Sequence, residues 1–409
     1  MTPYSEKYPD NRVLYMKQLG IQPGDGRFDA LYVHIPFCFH KCHYCDFYSI
    51  TGQSPARMER FVDLLLAEAD RWANWASAPI RPRTIFFGGG TPSLLPFATM
   101  QRLLVELKKR FDFSRVDEWT IEVNPATADQ AYCAMLRQHG VDRLSFGAQS
   151  FNRAELATLE RHHDPDDIPH SLDLARRAGF QRLNIDLIFA IPGQGLDSWI
   201  ASLHSAVGLQ TEHLSCYALT YEPNTPITVR KRLGRLRAAD EDLELTMLHQ
   251  TRRILSQAGF NAYEISNFAL PGRECRHNLL YWNGGNYLAL GPAGASHLEG
   301  TRWRNRPHLG EWESVLASGQ LPAVDIEHLS PRRRAGELAM LQLRLADGID
   351  FDDFAGRTGL DARSVYAGQI RRLADLGLLC VQKTGFCLTN AGLNVADSVA
   401  AEFLDIDLS

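Results

Sequence analysis

Between Leu31 and Leu209, short apolar runs alternate with longer stretches whose apolar residues recur every three or four positions. The short runs fit buried strands, and the longer spacing fits helices with one apolar face. The runs predict strands at Leu31–Ile35, Thr84–Phe87, Trp119–Val123, Arg143–Phe146, Leu183–Phe189 and His213–Tyr217. Between them, Phe61, Leu65, Ala69 and Trp72, and then Met100, Leu103, Leu104 and Leu107, fall at helical spacing. Six strands with intervening helices are repeated βα units. The right-handed crossover rule makes a parallel, barrel-like sheet their natural solution.

Beyond residue 221 the regularity fades. Residues 222–330 form an irregular α+β extension, rich in Gly, Trp and Asn around Tyr281–Gly294. From Pro331 the pattern changes again: a helix with Leu338, Leu341 and Leu345, then Phe351–Thr358, then Ser364–Leu376 ending at Gly377. Two short apolar runs around Cys380 and Cys387 follow, which gives residues 331–409 the outline of a winged helix. The expected organisation is an N-terminal segment 1–30, a core 31–221, the extension 222–330 and this C-terminal domain.

Bulk composition narrows the function. The chain has 409 residues, 45% of them hydrophobic and 22% charged, which are ordinary globular values. A net charge of −5 argues against broad phosphate binding, so no nucleic-acid partner is expected. The winged-helix outline does not change this, because acids outnumber bases from Asp352 to Ser409. Arg332-Arg333-Arg334 reads as a solvated helix start. Residues 1–9 lack an apolar signal region and no stretch is long enough to span a bilayer, so a cytoplasmic protein is expected.

Cysteine placement adds chemistry. Cys133, Cys216, Cys275, Cys380 and Cys387 are scattered, whereas Cys38, Cys42 and Cys45 fall within one loop directly after the first strand. In a reducing compartment such a trio reads as a metal or cluster site. Thiolates suit Fe–S clusters and zinc alike, and a Cys₃His zinc site remains open, with His34, His40 and His43 close by. A cubane held by three cysteines leaves one iron able to chelate a small molecule.

Other residues stand where a parallel sheet gathers its chemistry. The second strand runs into Gly88-Gly89-Gly90-Thr91-Pro92, where a backbone can approach a ligand closely or simply turn. Glu122, Gln149 and Asp186 lie at or near strand C-terminal ends, which is a catalytic face but also a place for helix caps. His162-His163 reads as a solvated or ligand-proximal pair rather than a metal site. His277-Asn278-Leu279-Leu280-Tyr281-Trp282 would, as a helix, put His277 and Tyr281 on one face. An imidazole there can ligate a heme iron beside an aromatic wall, or merely pack.

The spacing of Cys38, Cys42 and Cys45 resembles the CxxxCxxC signature of the radical SAM superfamily. The phrase from His34-Ile35-Pro36-Phe37 through Cys45-Asp46-Phe47 resembles a narrower group, which contains oxygen-independent coproporphyrinogen III dehydrogenase and the heme chaperone HemW. The resemblance extends from Leu31 into the C-terminal domain. It implies a partial (β/α)6 barrel, a [4Fe–4S] cluster on the three cysteines, and S-adenosylmethionine (SAM) cleaved to methionine and a 5′-deoxyadenosyl radical with an electron from a flavodoxin or ferredoxin. By the same resemblance, Tyr44 packs over the adenine and Tyr32 contacts a SAM. The backbone of Gly89, Gly90 and Thr91 meets the methionyl group, and Glu122 is a SAM contact. Gln149 and Asp186 are polar contacts near a second SAM site, Arg161 pairs with a carboxylate, and Ala218 offers a backbone contact to the adenosyl group.

Two positions separate the branches of that group. The dehydrogenases, which oxidatively decarboxylate two propionates, carry a fourth cysteine two positions after the third; this chain has Phe47. Residues 277–282 resemble the HNxxYW motif of the heme chaperones, which implies heme bound near His277, Asn278, Tyr281 and Trp282, with Cys275 as an alternative ligand. The expected partners are then respiratory apoproteins that accept heme.

Overall fold

The computed structural model describes residues 19–21, 27–125 and 127–404. Most of the expected segment 1–30, and the last five residues of the C-terminal domain, lie outside the described residues. The chain divides into two compact units. One comprises Met1–Asn184, Thr220–Arg237 and Asn286–Glu327; the other comprises Ile185–Leu219, Ala238–Gly285 and His328–Ser409.

In the first unit the apolar runs become parallel strands β1 (Ala30–Ile35), β2 (Thr84–Gly89), β3 (Glu118–Val123) and β4 (Arg143–Gln149). Leu31 pairs with Ile85, Ile85 with Trp119, and Ile121 with Leu144. Most residues of β1 are buried, odd and even positions alike. That pattern belongs to a sheet covered on both faces, which is why these strands read as continuous apolar runs. Helix α1 (Pro55–Trp75) opens on Ser54, whose side chain accepts from Arg57 N, with proline at its first position. Its buried face is the one the spacing predicted: Phe61, Leu65, Ala69 and Trp72. Helix α2 (Phe97–Arg110) likewise buries Met100, Leu103, Leu104 and Leu107.

The sheet does not stop at β1. A four-residue strand, Tyr287–Leu290, runs parallel to β1 with Ala30 opposite Tyr287, and Ala295–Leu298 and Thr301–Asn305 follow as an antiparallel pair. The extension is thus woven into the sheet edge. Its aromatic residues pack there: the Trp72 ring stacks on Trp303 at 5.6 Å, and Phe28 and Trp75 meet Trp72 edge-on at 5.9 and 5.5 Å. Each such pair contributes about 0.5–1.5 kcal/mol beyond area burial.

The second unit takes up the strand Arg182–Phe189 from its fourth residue, followed by helix Leu196–Gly208 and strand His213–Ala218. The last pairs antiparallel with Asn267–Ala269, placing Leu214 opposite Phe268. Trp199 is fully buried and its indole N–H donates to Thr251 Oγ1 at 2.9 Å. The C-terminal part has its own core, built on Phe354, Tyr366, Phe386 and Phe403. Helices Pro331–Gln342, Phe351–Thr358 and Ala367–Asp375 precede a small sheet in which Leu379–Val381 and Gly385–Leu388 are antiparallel. Among the described residues no helix is long and apolar enough to cross a membrane.

Candidate functional site

The loop after β1 carries Cys38, Cys42 and Cys45, all free thiols. Two contacts shape it at its ends: Cys38 N donates to Ile50 O at 2.9 Å and Cys45 N to Cys42 O at 3.2 Å. The thiols are close enough to influence one another. Burial, with the charges of Cys42 and Cys38, pushes the Cys45 thiol up to about 11, and burial raises Cys38 as well. A metal centre that binds such thiols deprotonates them and compensates the charge that burial disfavours.

The spacing of the thiols bears on which centre. Among the described residues only His40, Glu160 and His162 bring three ligand atoms within 4.8 Å of one another. The three sulfurs are therefore not all within 4.8 Å of one another. Of the histidines that left a zinc site open, His34 is hydrogen-bonded away from the thiols, and His40 and His43 turn toward an acid. His34 is buried, with Nε2 2.9 Å from Tyr48 O and Nδ1 3.2 Å from the Tyr32 hydroxyl, and burial lowers its pKa to about 4. His40 and His43 face Glu160 at 3.7 and 4.0 Å.

The end of β2 closes onto this loop. Gly90 N donates to Ile35 O at 2.8 Å and Thr91 N to Phe37 O at 2.7 Å, while the Thr91 hydroxyl lies 3.7 Å from Cys38 Sγ. The glycines are required here by space. A Cβ on Gly89 would meet the His34 ring at 2.4 Å, and one on Gly88 would meet the Glu122 carboxylate at 2.8 Å. Gly89 also has φ 103°, which side-chain-bearing residues rarely adopt. Tyr32 feels the charge of Glu122, so Tyr32, Glu122 and Gly88–Gly90 form one neighbourhood beside the cysteine loop.

Arg161 joins that neighbourhood from the turn after Arg153–Thr158. Its guanidinium donates to Asn124 Oδ1 at 2.5 Å and to Gly147 O, and lies 3.6 Å from Cys42 Sγ. Burial opposes its charge, but Tyr44, Cys42 and Cys38 more than offset this and raise its pKa. Its Nε is buried with no hydrogen-bond partner, a donor held ready for a ligand acceptor. Gln149 ends β4 with φ 66°, and a Cβ on Gly147 would lie 2.9 Å from its amide nitrogen. Left-handed backbone at a non-glycine residue is the sort of strain that concentrates at functional sites. The first unit thus brings together Tyr32, Tyr44, the glycines, Thr91, Glu122, Gln149 and Arg161 around the thiols.

Asp186 and Ala218 belong to the second unit, on neighbouring strands; Asp186 acts electrostatically on Cys216 and Tyr217. The motif expected to face heme is there too, and it is helical, Arg276–Trp282. His277 is 1% exposed, with Nε2 2.9 Å from the Tyr281 hydroxyl and the rings edge-on at 4.7 Å. Asn278 Nδ2 is 3.5 Å from the Tyr263 hydroxyl, which also meets His213 Nε2 at 2.9 Å. Trp282 lies under the Arg344 guanidinium at 4.9 Å, and its indole N–H is buried without a hydrogen-bond partner. Cys275 is fully buried at the start of the helix.

Sequence reasoning missed Asn124, Gly147 and Tyr48 as supports of Arg161 and His34. A carbonyl of Gly147 or Tyr48 has no sequence signature.

Known proteins resemble this arrangement. The radical SAM superfamily profile matches residues 32–206 and the HemN C-terminal domain profile matches residues 329–395. Heme chaperone HemW of Lactococcus lactis subsp. lactis is 32% identical over 385 residues, covering 93% of this chain and 98% of that protein. Heme chaperone HemW of Mycobacterium tuberculosis strain H37Rv is 35% identical over 390 residues, covering 94% and 97%. Among solved structures, coproporphyrinogen III oxidase (HemN) from Escherichia coli, described as a radical SAM enzyme, superposes with a TM-score of 0.82 at 24% identity, covering 95% of this chain and 92% of that one. The last likeness establishes the α/β fold of the radical SAM type.

Proposed function

Because the chain belongs to the HemW family of radical SAM proteins, we propose that it is a cytoplasmic, [4Fe–4S]- and SAM-binding heme chaperone that passes heme to respiratory apoproteins. Cys38, Cys42 and Cys45 would hold the cluster, which when reduced by a flavodoxin- or ferredoxin-type donor supplies an electron to the SAM sulfonium. The chain's own residues bind and orient. The backbone at Gly89–Thr91 receives the methionyl group, Tyr44 and Tyr32 flank the nucleoside, and Glu122 and Arg161 position polar groups around it. Gln149, Asp186 and the Ala218 backbone are assigned to the remaining SAM contacts. His277, Asn278, Tyr281 and Trp282 are assigned to heme.

The observation that carries the chaperone reading is Phe47. It occupies the position where the dehydrogenases bear a fourth cysteine, and it is 69% exposed, a bulky apolar ring on the surface of the cluster loop. An apolar side chain supplies neither a ligand nor a proton there.

The test is anaerobic reconstitution, iron and sulfide analysis, heme titration, and an assay of coproporphyrinogen III conversion with SAM and a reductant. Four irons and four sulfides per chain, heme binding, and no porphyrinogen product are expected. Protoporphyrinogen formation without heme binding would establish the dehydrogenase reading instead, and one zinc with no sulfide would remove both.

A further inference from the structure

Two segments of the first unit converge beside the cysteine loop without involving its thiols. His40 and His43 come from the loop itself; Glu160 and His162 come from the turn after Arg153–Thr158. Glu160 has φ 55°, a left-handed conformation that turns the chain sharply at this point. The flanking Glu160 and His162 side chains face His40, while Arg161 between them reaches Cys42 and Asn124.

The distances describe a ligand set. Glu160 Oε2 is 3.7 Å from His40 Nε2 and 3.8 Å from His162 Nε2, and Glu160 Oε1 is 4.0 Å from His43 Nδ1. The His40 and His162 rings are 4.2 Å apart. The His40 and His162 separations exceed hydrogen-bond reach but come within about half an ångström of the ~3.3 Å between nitrogen and oxygen ligands on a tetrahedral ion. The side chains are partly exposed and can make that small adjustment. His40 Nε2 and His43 Nδ1 are also shielded from water with no hydrogen-bond partner. Buried polar atoms are normally paired, so two orphaned ring nitrogens beside a shared carboxylate indicate a missing partner.

We propose that His40, Glu160 and His162 bind one first-row divalent cation, separate from the three cysteines. Two imidazoles and a carboxylate, with water completing the coordination, suit zinc and its neighbours, with affinity rising along the series toward copper. Such an ion ties the cluster loop to the turn bearing Arg161, and so fixes the guanidinium against Cys42 and Asn124. It is a brace for the neighbouring site and takes no part in electron transfer.

The experiment uses full-length protein anaerobically reconstituted with iron and sulfide, so that the cysteines are occupied, then equilibrated with zinc. One zinc per chain with unchanged iron and sulfide is expected. His162→Gln and Glu160→Gln should each weaken zinc binding by at least tenfold without loss of iron. Cobalt at this site should show d–d absorption and no thiolate-to-cobalt charge transfer. Zinc that enters only as iron leaves, a thiolate–cobalt band, or variants that bind zinc as tightly as the unmodified chain would each overturn the proposal. Loss of iron in both variants would also overturn it, because it would place these residues in the cluster site itself.

Discussion

The hydroxyl of Tyr281 lies 2.9 Å from Nε2 of His277, one helical turn away on the same face of a short helix. For His277 to ligate a heme iron through Nε2, this hydrogen bond must open. A single net hydrogen bond contributes about 0.5–1.5 kcal/mol. Tyr281→Phe should therefore tighten heme binding about 3- to 10-fold, whereas His277→Ala should weaken it at least tenfold. Titration of heme into the reconstituted protein, followed by its absorption, reads both. Unchanged binding in His277→Ala would remove this residue from the heme site.

Arg161 connects Asn124, Gly147 and Cys42 through one buried fork. Replacing it with Gln removes the charge, while Lys keeps the charge but not the planar donor geometry. SAM affinity should fall at least tenfold in Arg161→Gln, about 1.4 kcal/mol, and by a smaller factor in Arg161→Lys. Equilibrium dialysis of SAM against cluster-loaded protein distinguishes these. Equal affinity in all three would show that the guanidinium only supports the loop.

Gly89 and Gly193 both have positive φ, 103° and 84°. Only Gly89 is also hemmed in, by the His34 ring at 2.4 Å from a would-be Cβ; nothing lies within 4 Å at Gly193. Gly193→Ala should cost about 1 kcal/mol, from backbone strain alone. Gly89→Ala adds overpacking and should cost about 2–4 kcal/mol while displacing His34 from Tyr48. Urea midpoints compare the two, and equal losses would mean that the His34 ring yields freely.

The strands were legible because a sheet buried on both faces writes itself as unbroken apolar runs, and each predicted strand is present to within a few residues. The strand Tyr287–Leu290 was not. It is four residues long, and its partner Ala30 lies more than 250 positions earlier, so neither periodicity nor propensity points to the pairing. That the glycine turn and the cysteine loop lie side by side was readable because both follow adjacent strand ends. His162 and His163 were read as a pair, yet His163 is buried and His162 faces Glu160. Adjacent residues leaving a turn point to different environments, which one-dimensional proximity conceals. Glu68 shows the same limit: it reads as a polar residue of an amphipathic helix, and its partners come from residues 291–312.

Glu68 is fully buried in α1. Its carboxylate accepts from Gly291 N at 2.8 Å, Asn305 Nδ2 at 2.7 Å and Trp312 Nε1 at 3.1 Å. Burial pushes its pKa up to about 8, against the pull of these donors. Between an unfolded value near 4.5 and this folded one, the native chain holds a proton that the unfolded chain releases. Stability is therefore full below about pH 4.5, falls as pH rises with a slope approaching about 1.4 kcal/mol per pH unit, and levels off above about pH 8. Glu68→Gln cannot titrate and should flatten this dependence. It should also be less stable at the acid end, because its amide nitrogen cannot accept from a facing N–H as the hydroxyl oxygen of a protonated carboxyl can. Urea denaturation of both proteins at pH 6, 7 and 8 provides the comparison. The difference in stability should shrink toward pH 8; parallel curves would show that Glu68 is ionised throughout, with its three donors outweighing burial.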